Sequence, residues 1–221
     1  MGIVAQLHRL DRAPEHPEAA LLVVKNFVDF LLKDQGLTKE DMFREQAILN
    51  VDKKAFMKGR VVNKKARWNL CFDDQSRDPD YENKKGRIVA IDEVAITKRV
   101  ADRFVEFFGP KAGNLKGEGN YYYDIKTCGI GFHGDGERRK VVAIRLGASI
   151  PMHYQWFLKS EPVGERMIFP VDGGDIYLMS EKAVGTDWLK KNTYTLRHAT
   201  GCKEFTTIKP KTSSASQHDD S

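Results

Sequence analysis

The second half of the chain is divided into short apolar segments, and this rhythm constrains the fold more than any other feature of the sequence. After Pro110, these segments alternate with turn-forming residues, because Gly, Pro or Asn stands in most of the gaps between them. Short segments bounded by turn residues are typical of antiparallel strands. The predicted strands cover residues 121–124, 129–132, 141–146, 153–158, 167–169, 175–179, 194–198 and 205–208. Eight short strands in this succession indicate a barrel or a jelly roll.

The first half of the chain predicts helices instead. Apolar residues recur at helical spacing in the segment 17–33, and Gly36 is a natural helix stop. Thr38, followed by Asp41, marks the start of a second helix, and a third is predicted over 97–108. Two strands are predicted between the second and third helices, at 68–72 and 86–91. The chain is therefore predicted to be an α+β protein, in which N-terminal helices support a β-rich core.

The composition excludes several classes of protein. The chain has 221 residues, of which 41% are hydrophobic and 30% charged, as in a globular domain. No apolar run approaches the roughly 20 residues that span a bilayer, and no signal-peptide core is present. We therefore expect an intracellular monomer, cytoplasmic or nuclear, with no membrane partner. Its cysteines are far apart and form no C-x-x-C, so we expect free thiols at Cys71, Cys128 and Cys202.

A basic run precedes the first predicted strand. The segment 53–67 reads KKAFMKGRVVNKKAR and contains seven basic residues and no acid. Such a run can follow a phosphate backbone, and it can equally be a solvated basic loop. Val61, Val62 and Trp68 interrupt the charges and can wedge or stack where a base leaves a helix. The candidate nucleic-acid-binding residues are Lys58, Arg60, Lys64, Lys65 and Arg67, with Lys53 and Lys54 beside them.

An H-x-D unit, His133-Gly134-Asp135, predicts a metal site. Residues two apart in a strand point to the same face, so both side chains can hold one ion. The alternative is a surface histidine beside a turn aspartate. A third ligand would complete the two-His-one-carboxylate set that binds Fe(II). His198 is the best-placed third ligand, because a β-barrel can bring its late strand beside the H-x-D strand. The other histidines are poorer candidates: His8, His16, His153 and His218.

In their order and spacing, the motifs resemble those of the AlkB-like family of Fe(II)/2-oxoglutarate dioxygenases. The family pattern looks like N-x-Y, H-x-D-x-E, S-x-S-L-G, G-D/S-x-x-x-M and then the distal histidine. This chain has Asn120-x-Tyr122, His133-x-Asp135-x-Glu137, AIRLG at 143–147, GDIYLM at 174–179 and then His198. Upstream, the segment 58–74 looks like the nucleotide-recognition loop of the family. The resemblance covers roughly residues 59–208.

The resemblance implies a double-stranded β-helix, or jelly-roll, core that binds Fe(II) and the co-substrate 2-oxoglutarate. It implies that Tyr122 donates a hydrogen bond to the co-substrate, although the neighbouring Tyr121 and Tyr123 leave the register open by one residue. It also implies that Glu137 contacts an exocyclic amino group of a base, although Glu137 can instead pair with Arg138 or Arg139. The metal ligands that it implies are His133, Asp135 and His198.

The chain departs from the family pattern at two points. The distal histidine of the family follows a tryptophan closely, whereas Trp188 is followed by Leu189 and Lys190, so His198 must serve. The family ends in R-x-N-x-T-F-R, whose first arginine holds the distal carboxylate of 2-oxoglutarate. Residues 203–209 read KEFTTIK here. We expect a lysine of the last strand to replace that arginine. The candidates, in order, are Lys203, which faces His198 in the simplest hairpin register, Lys209 and Arg145.

The function that the resemblance implies is oxidation of a base in DNA or RNA, by demethylation or hydroxylation. The alternatives are a protein hydroxylase of the same superfamily and a nucleic-acid-binding module without catalysis. Tyr154, Trp156 and Phe157 can stack on a flipped base or belong to the core. The predicted division is a helical support (1–52), a nucleotide-recognition-like loop with strands and a helix (53–110), the catalytic core (111–210) and a disordered tail (211–221).

Overall fold

Two four-stranded sheets form the centre of the structure, a computed structural model that describes residues 2–9 and 17–208. The strands of the described residues are β1 (Gly2–Gln6), β2 (Ala20–Val24), β3 (Lys54–Met57), β4 (Arg60–Asn63), β5 (Trp68–Asp73), β6 (Ile88–Ala90), β7 (Gly117–Tyr121), β8 (Gly129–His133), β9 (Val141–Ile144), β10 (Met152–Leu158), β11 (Glu161–Phe169), β12 (Ile176–Met179) and β13 (Thr195–Gly201). The α-helices are α1 (Phe27–Leu32), α2 (Lys39–Ala47), α3 (Ala95–Asp102), α4 (Phe104–Phe108), α5 (Glu181–Val184) and α6 (Lys203–Thr206).

The first sheet has the order β1-β2-β12-β9, and the second has the order β11-β10-β13-β8. Neighbouring strands in both are antiparallel. One buried cluster joins the two sheets, because Leu21 and Met179 of the first pack with Trp156 and Leu196 of the second. The sheets therefore lie face to face, and in the described residues they remain separate and do not close into a barrel.

Helices cover the other face of the first sheet. Side chains alternate along β12, so that Tyr177 and Met179 face the second sheet while Ile176 and Leu178 pack against helices. The helical partners include Val28 of α1 and residues of α2, α3 and α4. The layers are thus helices, first sheet and second sheet, which confirms the α+β prediction. None of the described helices has the length and apolar character needed to cross a membrane.

A third sheet and a hairpin stand beside this centre. The third sheet has the order β6-β5-β7, with β5 and β6 parallel and β5 and β7 antiparallel. The predicted basic loop is the antiparallel hairpin β3–β4, whose turn is Lys58-Gly59. Both turn residues have positive φ, 51° and 79°, as a two-residue turn that matches the twist of a hairpin requires.

Several sequence predictions are confirmed in this fold. Thr38 begins α2 through a capping box with Asp41, and Gly36 ends the preceding turn at a φ of 66°. Gly109 ends α4, as predicted. The helix predicted over 97–108 begins earlier, at Ala95, and is divided into α3 and α4. The seven predicted strands from 121–124 to 194–198 are found with shifted bounds, and the first, β7, lies earlier than predicted.

Two predicted elements are wrong. The segment 17–33 contains β2 and the short helix α1 rather than one helix, because residues 20–24 pair with β1 and β12 in the first sheet. The predicted last strand, 205–208, contains the end of α6 instead, and the side chain of Phe205 fills the space beside Gly129. Because β13 runs on to Gly201, His198 lies within a strand and not at its end. The predicted disordered tail lies outside the described residues.

The face-to-face packing of the sheets predicts a large stability difference between two leucines. Leu196 is fully buried between the sheets, whereas 74% of Leu189 is exposed. We expect Leu196→Ala to lower the free energy of unfolding by about 2–5 kcal/mol, because it removes buried methyl groups and leaves a cavity. Leu189→Ala should change it by less than about 0.5 kcal/mol. Urea unfolding measures both, and equal effects would contradict the packing described.

Candidate metal centre

Two histidines and one aspartate meet at the edge of the second sheet. His133 ends β8 and lies directly opposite His198 of β13, and their ring centres are 4.5 Å apart. The His133 Nε2 and Asp135 Oδ1 atoms are 3.6 Å apart. One ligand atom from each of the three residues lies within 4.8 Å of the others. The structure therefore brings the three predicted ligands together at a spacing that suits one metal ion.

Gly134 allows the chain to place Asp135 at this position. Gly134 is buried, and a Cβ on it would overlap the carbonyl oxygen of Gly185 and the side chain of Trp188. The backbone N–H of Asp135 donates to the carbonyl of Val184 at 3.0 Å. The turn after β8 is thus held against α5 and the residues that follow it, and a larger residue at Gly134 would displace the aspartate.

The hydrogen bonds of His133 leave its Nε2 free for a ligand. Its Nδ1 lies 2.8 Å from the carbonyl oxygen of Gly131 and 3.1 Å from that of His198. A carbonyl only accepts, so Nδ1 carries the proton and donates it. The lone pair of the neutral ring is then on Nε2, which faces Asp135. This is the usual arrangement for a metal-binding histidine, whose second nitrogen donates to the protein.

His198 is neutral and has an unsatisfied nitrogen. Its burial, and then the nearby His133, lower its pKa to about 3, so the ring is unprotonated at neutral pH. Its buried Nδ1 has no hydrogen-bond partner among the described residues. A buried polar atom without a partner costs roughly 1–3 kcal/mol. A metal ion would satisfy this atom, and the donor set of two imidazoles and one carboxylate fits Fe(II).

Asp135 belongs to a charge network with Arg138 and Glu118. Glu118 was not predicted from the sequence. Burial raises the pKa of Asp135, and Arg138 and His133 oppose this rise. Arg138 Nη1 lies 3.5 Å from Asp135 Oδ2, and the same guanidinium pairs with Glu118 of β7. Glu137 is exposed and lies 3.9 Å from Arg138. Glu118 could have been predicted from its position two residues before Asn120, because residues two apart in a strand share a face.

A buried arginine lies beside the centre. Arg145, the residue after β9, is 8% exposed and forms no ion pair among the described residues, and its Nε has no hydrogen-bond partner there. Its guanidinium carbon is 5.6 Å from the ring centre of Tyr122. Burial raises the pKa of Tyr122 to about 12, and Arg145 opposes this rise. Burial raises the pKa of Tyr177, Arg145 opposes this rise and Asp135 adds to it.

Tyr154 lies in the same buried region between the two sheets, which we call the chamber. It is fully buried, its ring centre is 5.9 Å from that of His198, and its hydroxyl has no partner among the described residues. Burial raises its pKa well above the usual value. Trp156 and Phe157, the other aromatic residues considered for base stacking, are also buried. All three therefore belong to the core, which was the alternative interpretation.

The lysines predicted to hold the co-substrate are not found in the chamber. Lys203 is exposed on α6, because the chain turns into a helix where a hairpin strand was expected. Lys209 lies outside the described residues. Among the three predicted candidates, the structure therefore gives only Arg145 a buried position next to the candidate ligands.

The basic residues of the hairpin region divide into two sets. Lys64 donates to the side chain of Asn69, and burial lowers its pKa. Arg67 donates to Asn120 Oδ1 at 2.6 Å. The exposed residues, which form no ion pair within the described part of the chain, are Lys53, Lys54, Lys58, Arg60 and Lys65. The exposed set is available to a polyanion, whereas Lys64 and Arg67 support the local structure.

Comparisons with known proteins add a viral relative. The chain is 52% identical over 166 residues to an uncharacterized protein of Acanthamoeba polyphaga mimivirus. The match covers 75% of this chain and 65% of the viral protein, so the chain spans just under two thirds of that relative's length. No family model matches the sequence.

The ligand set predicts which histidines bind a metal. We expect His133→Ala and His198→Ala each to weaken Co(II) or Fe(II) binding by more than the roughly 10- to 100-fold that follows loss of an outer-shell partner. His153→Ala is the matched control, because His153 precedes the inward-facing Tyr154 on β10 and points to the opposite face of the same sheet. Anaerobic titration calorimetry measures the affinities. Full affinity in His198→Ala would disprove the assignment.

The tight turn at Gly134 predicts a contrast between two glycines. Gly134→Ala should move Asp135, weaken metal binding and lower stability by about 1–3 kcal/mol, because the added methyl group overlaps the Gly185 carbonyl. A Cβ at Gly136 meets nothing within 4 Å, so Gly136→Ala should leave both properties unchanged. Metal titration and urea unfolding of the two variants test this. Similar behaviour would mean that the turn does not position the aspartate.

Proposed function

We propose that the protein is an Fe(II)- and 2-oxoglutarate-dependent dioxygenase of the AlkB-like family that oxidises a base in nucleic acid. One observation supports this above the others. Two histidines and an aspartate lie within 4.8 Å of one another, beside a buried arginine that forms no ion pair among the described residues. The ligand set fits iron, and the unpaired guanidinium fits the carboxylate of a co-substrate.

The arrangement of the sheets supports a jelly-roll core for this enzyme. A jelly roll consists of two antiparallel sheets face to face, with strands that are distant in sequence placed side by side. Here the hairpin β10–β11 is followed in the second sheet by β13 and then β8. The early H-x-D strand and the late histidine strand are therefore neighbours, which is how the resemblance implies that the ligands meet.

The residues of the chamber have distinct roles in this proposal. His133, Asp135 and His198 hold the iron, which, together with 2-oxoglutarate and O₂, supplies oxidation of a C–H bond with release of succinate and CO₂. Arg145 binds the distal carboxylate of 2-oxoglutarate, in the role first expected of a lysine. Tyr122 donates a hydrogen bond to the co-substrate, and its raised pKa keeps its hydroxyl protonated at neutral pH. Arg145 and His198 are 8% and 7% exposed, and this burial strengthens their polar contacts.

A nucleic-acid substrate is supported by the surface next to the chamber. The base of the β3–β4 hairpin joins the second sheet, because the N–H of Gly129 donates to the carbonyl of Ala66 at 2.9 Å. The segment that follows the hairpin is thus attached to the start of β8, the strand that ends at His133. A surface rich in unpaired cations is the usual feature of a protein that binds a phosphate backbone.

The test of this function is succinate formation by the purified protein. We expect succinate from 2-oxoglutarate with Fe(II) and ascorbate, increased by oligonucleotides that contain methylated bases. Arg145→Met should raise the KM for 2-oxoglutarate about 10-fold or more, because a buried charge-assisted hydrogen bond contributes about 1.5–3 kcal/mol and each 1.4 kcal/mol is tenfold. Mass spectrometry of the oligonucleotides identifies any oxidised base.

Lys203→Met is the control for the co-substrate site. Lys203 is exposed on α6, so its loss should leave the KM for 2-oxoglutarate unchanged. If Lys203→Met raises KM while Arg145→Met does not, Arg145 is not the carboxylate ligand. If the wild-type protein binds metal and forms no succinate under any of these conditions, the dioxygenase proposal fails.

A further inference from the structure

The pair of strands β5 and β7 has two chemically different faces. Asn69 of β5 pairs with Asn120 of β7, and Glu118 and Tyr122 share the face of Asn120. Two of these side chains contact residues of the candidate metal centre, because Glu118 pairs with Arg138 and the Tyr122 ring lies against Arg145. We call this the inner face. The opposite, outer face carries Leu70 and Phe72, which are buried in a small core cluster, and a group of three aromatic residues at one end. The proposed chemistry does not use this group, which consists of Trp68, Tyr121 and Tyr123.

The outer aromatic residues form an ordered stack at the protein surface. The ring centres of Trp68 and Tyr123 are 4.3 Å apart with planes at 24°, and those of Trp68 and Tyr121 are 5.7 Å apart with planes at 22°. The hydroxyl of Tyr123 donates to the carbonyl of Lys65 at 2.6 Å, which fixes its ring. Tyr121 and Tyr123 are each 38% exposed. A fixed and exposed aromatic surface of this kind suits stacking with another flat ring.

A pocket opens beside this stack. It has a volume of about 180 Å³ and lies between the end of α2 and the outer face. Trp68 and Tyr121 form one wall, Leu49 and Val51 are apolar, and the exposed amide of Asn50 stands at the rim. The Asn50 side chain has no hydrogen bond among the described residues. One planar heterocycle could therefore stack on the aromatic wall of the pocket. The amide of Asn50 could form hydrogen bonds with the polar edge of that heterocycle.

The charges around the pocket favour a phosphate-linked ligand. Lys53 lines the pocket, and its ammonium lies 4.4 Å from the centre of the Trp68 ring. Lys54 follows it on β3, and the exposed cations of the hairpin continue the same surface. No carboxylate lines the pocket. An aromatic wall within a basic surface is the combination that proteins use to bind single-stranded nucleic acid, where bases stack and cations follow the backbone.

We propose that this pocket binds one unpaired base of a single-stranded nucleic acid, while the β3–β4 hairpin holds the backbone beside it. The base in this pocket is not the oxidised base, because the pocket opens on the face of the β5–β7 pair opposite to the one that contacts the candidate metal centre. A paired base is covered on both faces within a duplex and cannot enter. The inference rests on the proposed nucleic-acid substrate, but binding here does not require the metal.

Binding of labelled oligonucleotides to metal-free protein tests this proposal. The probes are a mixed-sequence DNA 12-mer, the same sequence as RNA, and the DNA duplex, each measured by fluorescence anisotropy. Tyr121→Ala should weaken binding of the single strands about 10-fold or more, because stacking on one aromatic residue is worth that much. The salt dependence should not change, since no charge is removed. Duplex affinity should also be unaffected. The single strand that binds more tightly identifies the type of nucleic acid.

Two further variants serve as controls. Phe107→Ala removes a ring of similar exposure, 37%, from α4, and should leave all affinities unchanged. The double variant Lys58→Ala, Arg60→Ala should weaken every probe and reduce the slope of log K against log salt by up to about two. In the wild-type protein, single strands should quench the fluorescence of Trp68, and Trp68→Phe should abolish this quenching. This readout applies even if Tyr121→Ala does not fold.

The outcomes separate this proposal from the proposed function. If the hairpin variant weakens binding while Tyr121→Ala behaves like Phe107→Ala, the base pocket is disproved and the substrate class stands. If Tyr121→Ala weakens duplex binding equally, the pocket does not select unpaired bases and the proposal fails. Poly-glutamate is a polyanion without bases. If it displaces the labelled oligonucleotide as strongly as unlabelled oligonucleotide does, the proposal also fails. If no probe binds the wild-type protein, both the pocket and the nucleic-acid substrate are wrong.

Discussion

The pairing of β8 with β13 is the contact on which the candidate centre depends. It places His133 directly opposite His198, although the two residues belong to distant segments of the chain. Glycine at the far end of the pair allows the strands to approach closely, since a Cβ on Gly201 would overlap the backbone of Gly129. The turn at Gly134 then brings a carboxylate to the two imidazoles. The positions of the three ligands are therefore determined by backbone pairing and by close contacts at glycines.

Three of the six buried polar atoms that lack a hydrogen-bond partner among the described residues lie near this contact. The His198 Nδ1, the Tyr154 hydroxyl and the Arg145 Nε are all buried without a hydrogen-bond partner among the described residues. Each lowers the stability of the fold, because a buried polar group without a partner loses its hydrogen bonds to water and gains none in the protein. Folded proteins tolerate such groups mainly where function requires them. Their occurrence in one chamber is consistent with a site shaped for an ion and an anionic ligand, and the surrounding packing of the two sheets must offset their cost.

Local sequence patterns predicted much of this structure, and they failed where distant pairing decided the outcome. Short segments between turn residues predicted most strands of the core, and the H-x-D unit with His198 predicted the ligand cluster. The strand at residues 20–24 was missed because Leu and Val also fit helical spacing, and only its pairing with β12 selects the strand. At 203–206 a single turn of helix replaces the expected strand, with Phe205 packed over Gly129. Arg145 was ranked last because burial is not visible in sequence.

The position of β2 has a consequence for how the protein forms. This strand lies between β1 and β12 in the first sheet, so that Leu21 is paired with Met179. A ribosome delivers β2 early and β12 late, and until then one edge of the β1–β2 hairpin remains open to unwanted pairing. Contacts between such distant segments also make folding slow, since a long loop must close first. Until β12 is made, this edge of the β1–β2 pair can therefore pair with another chain.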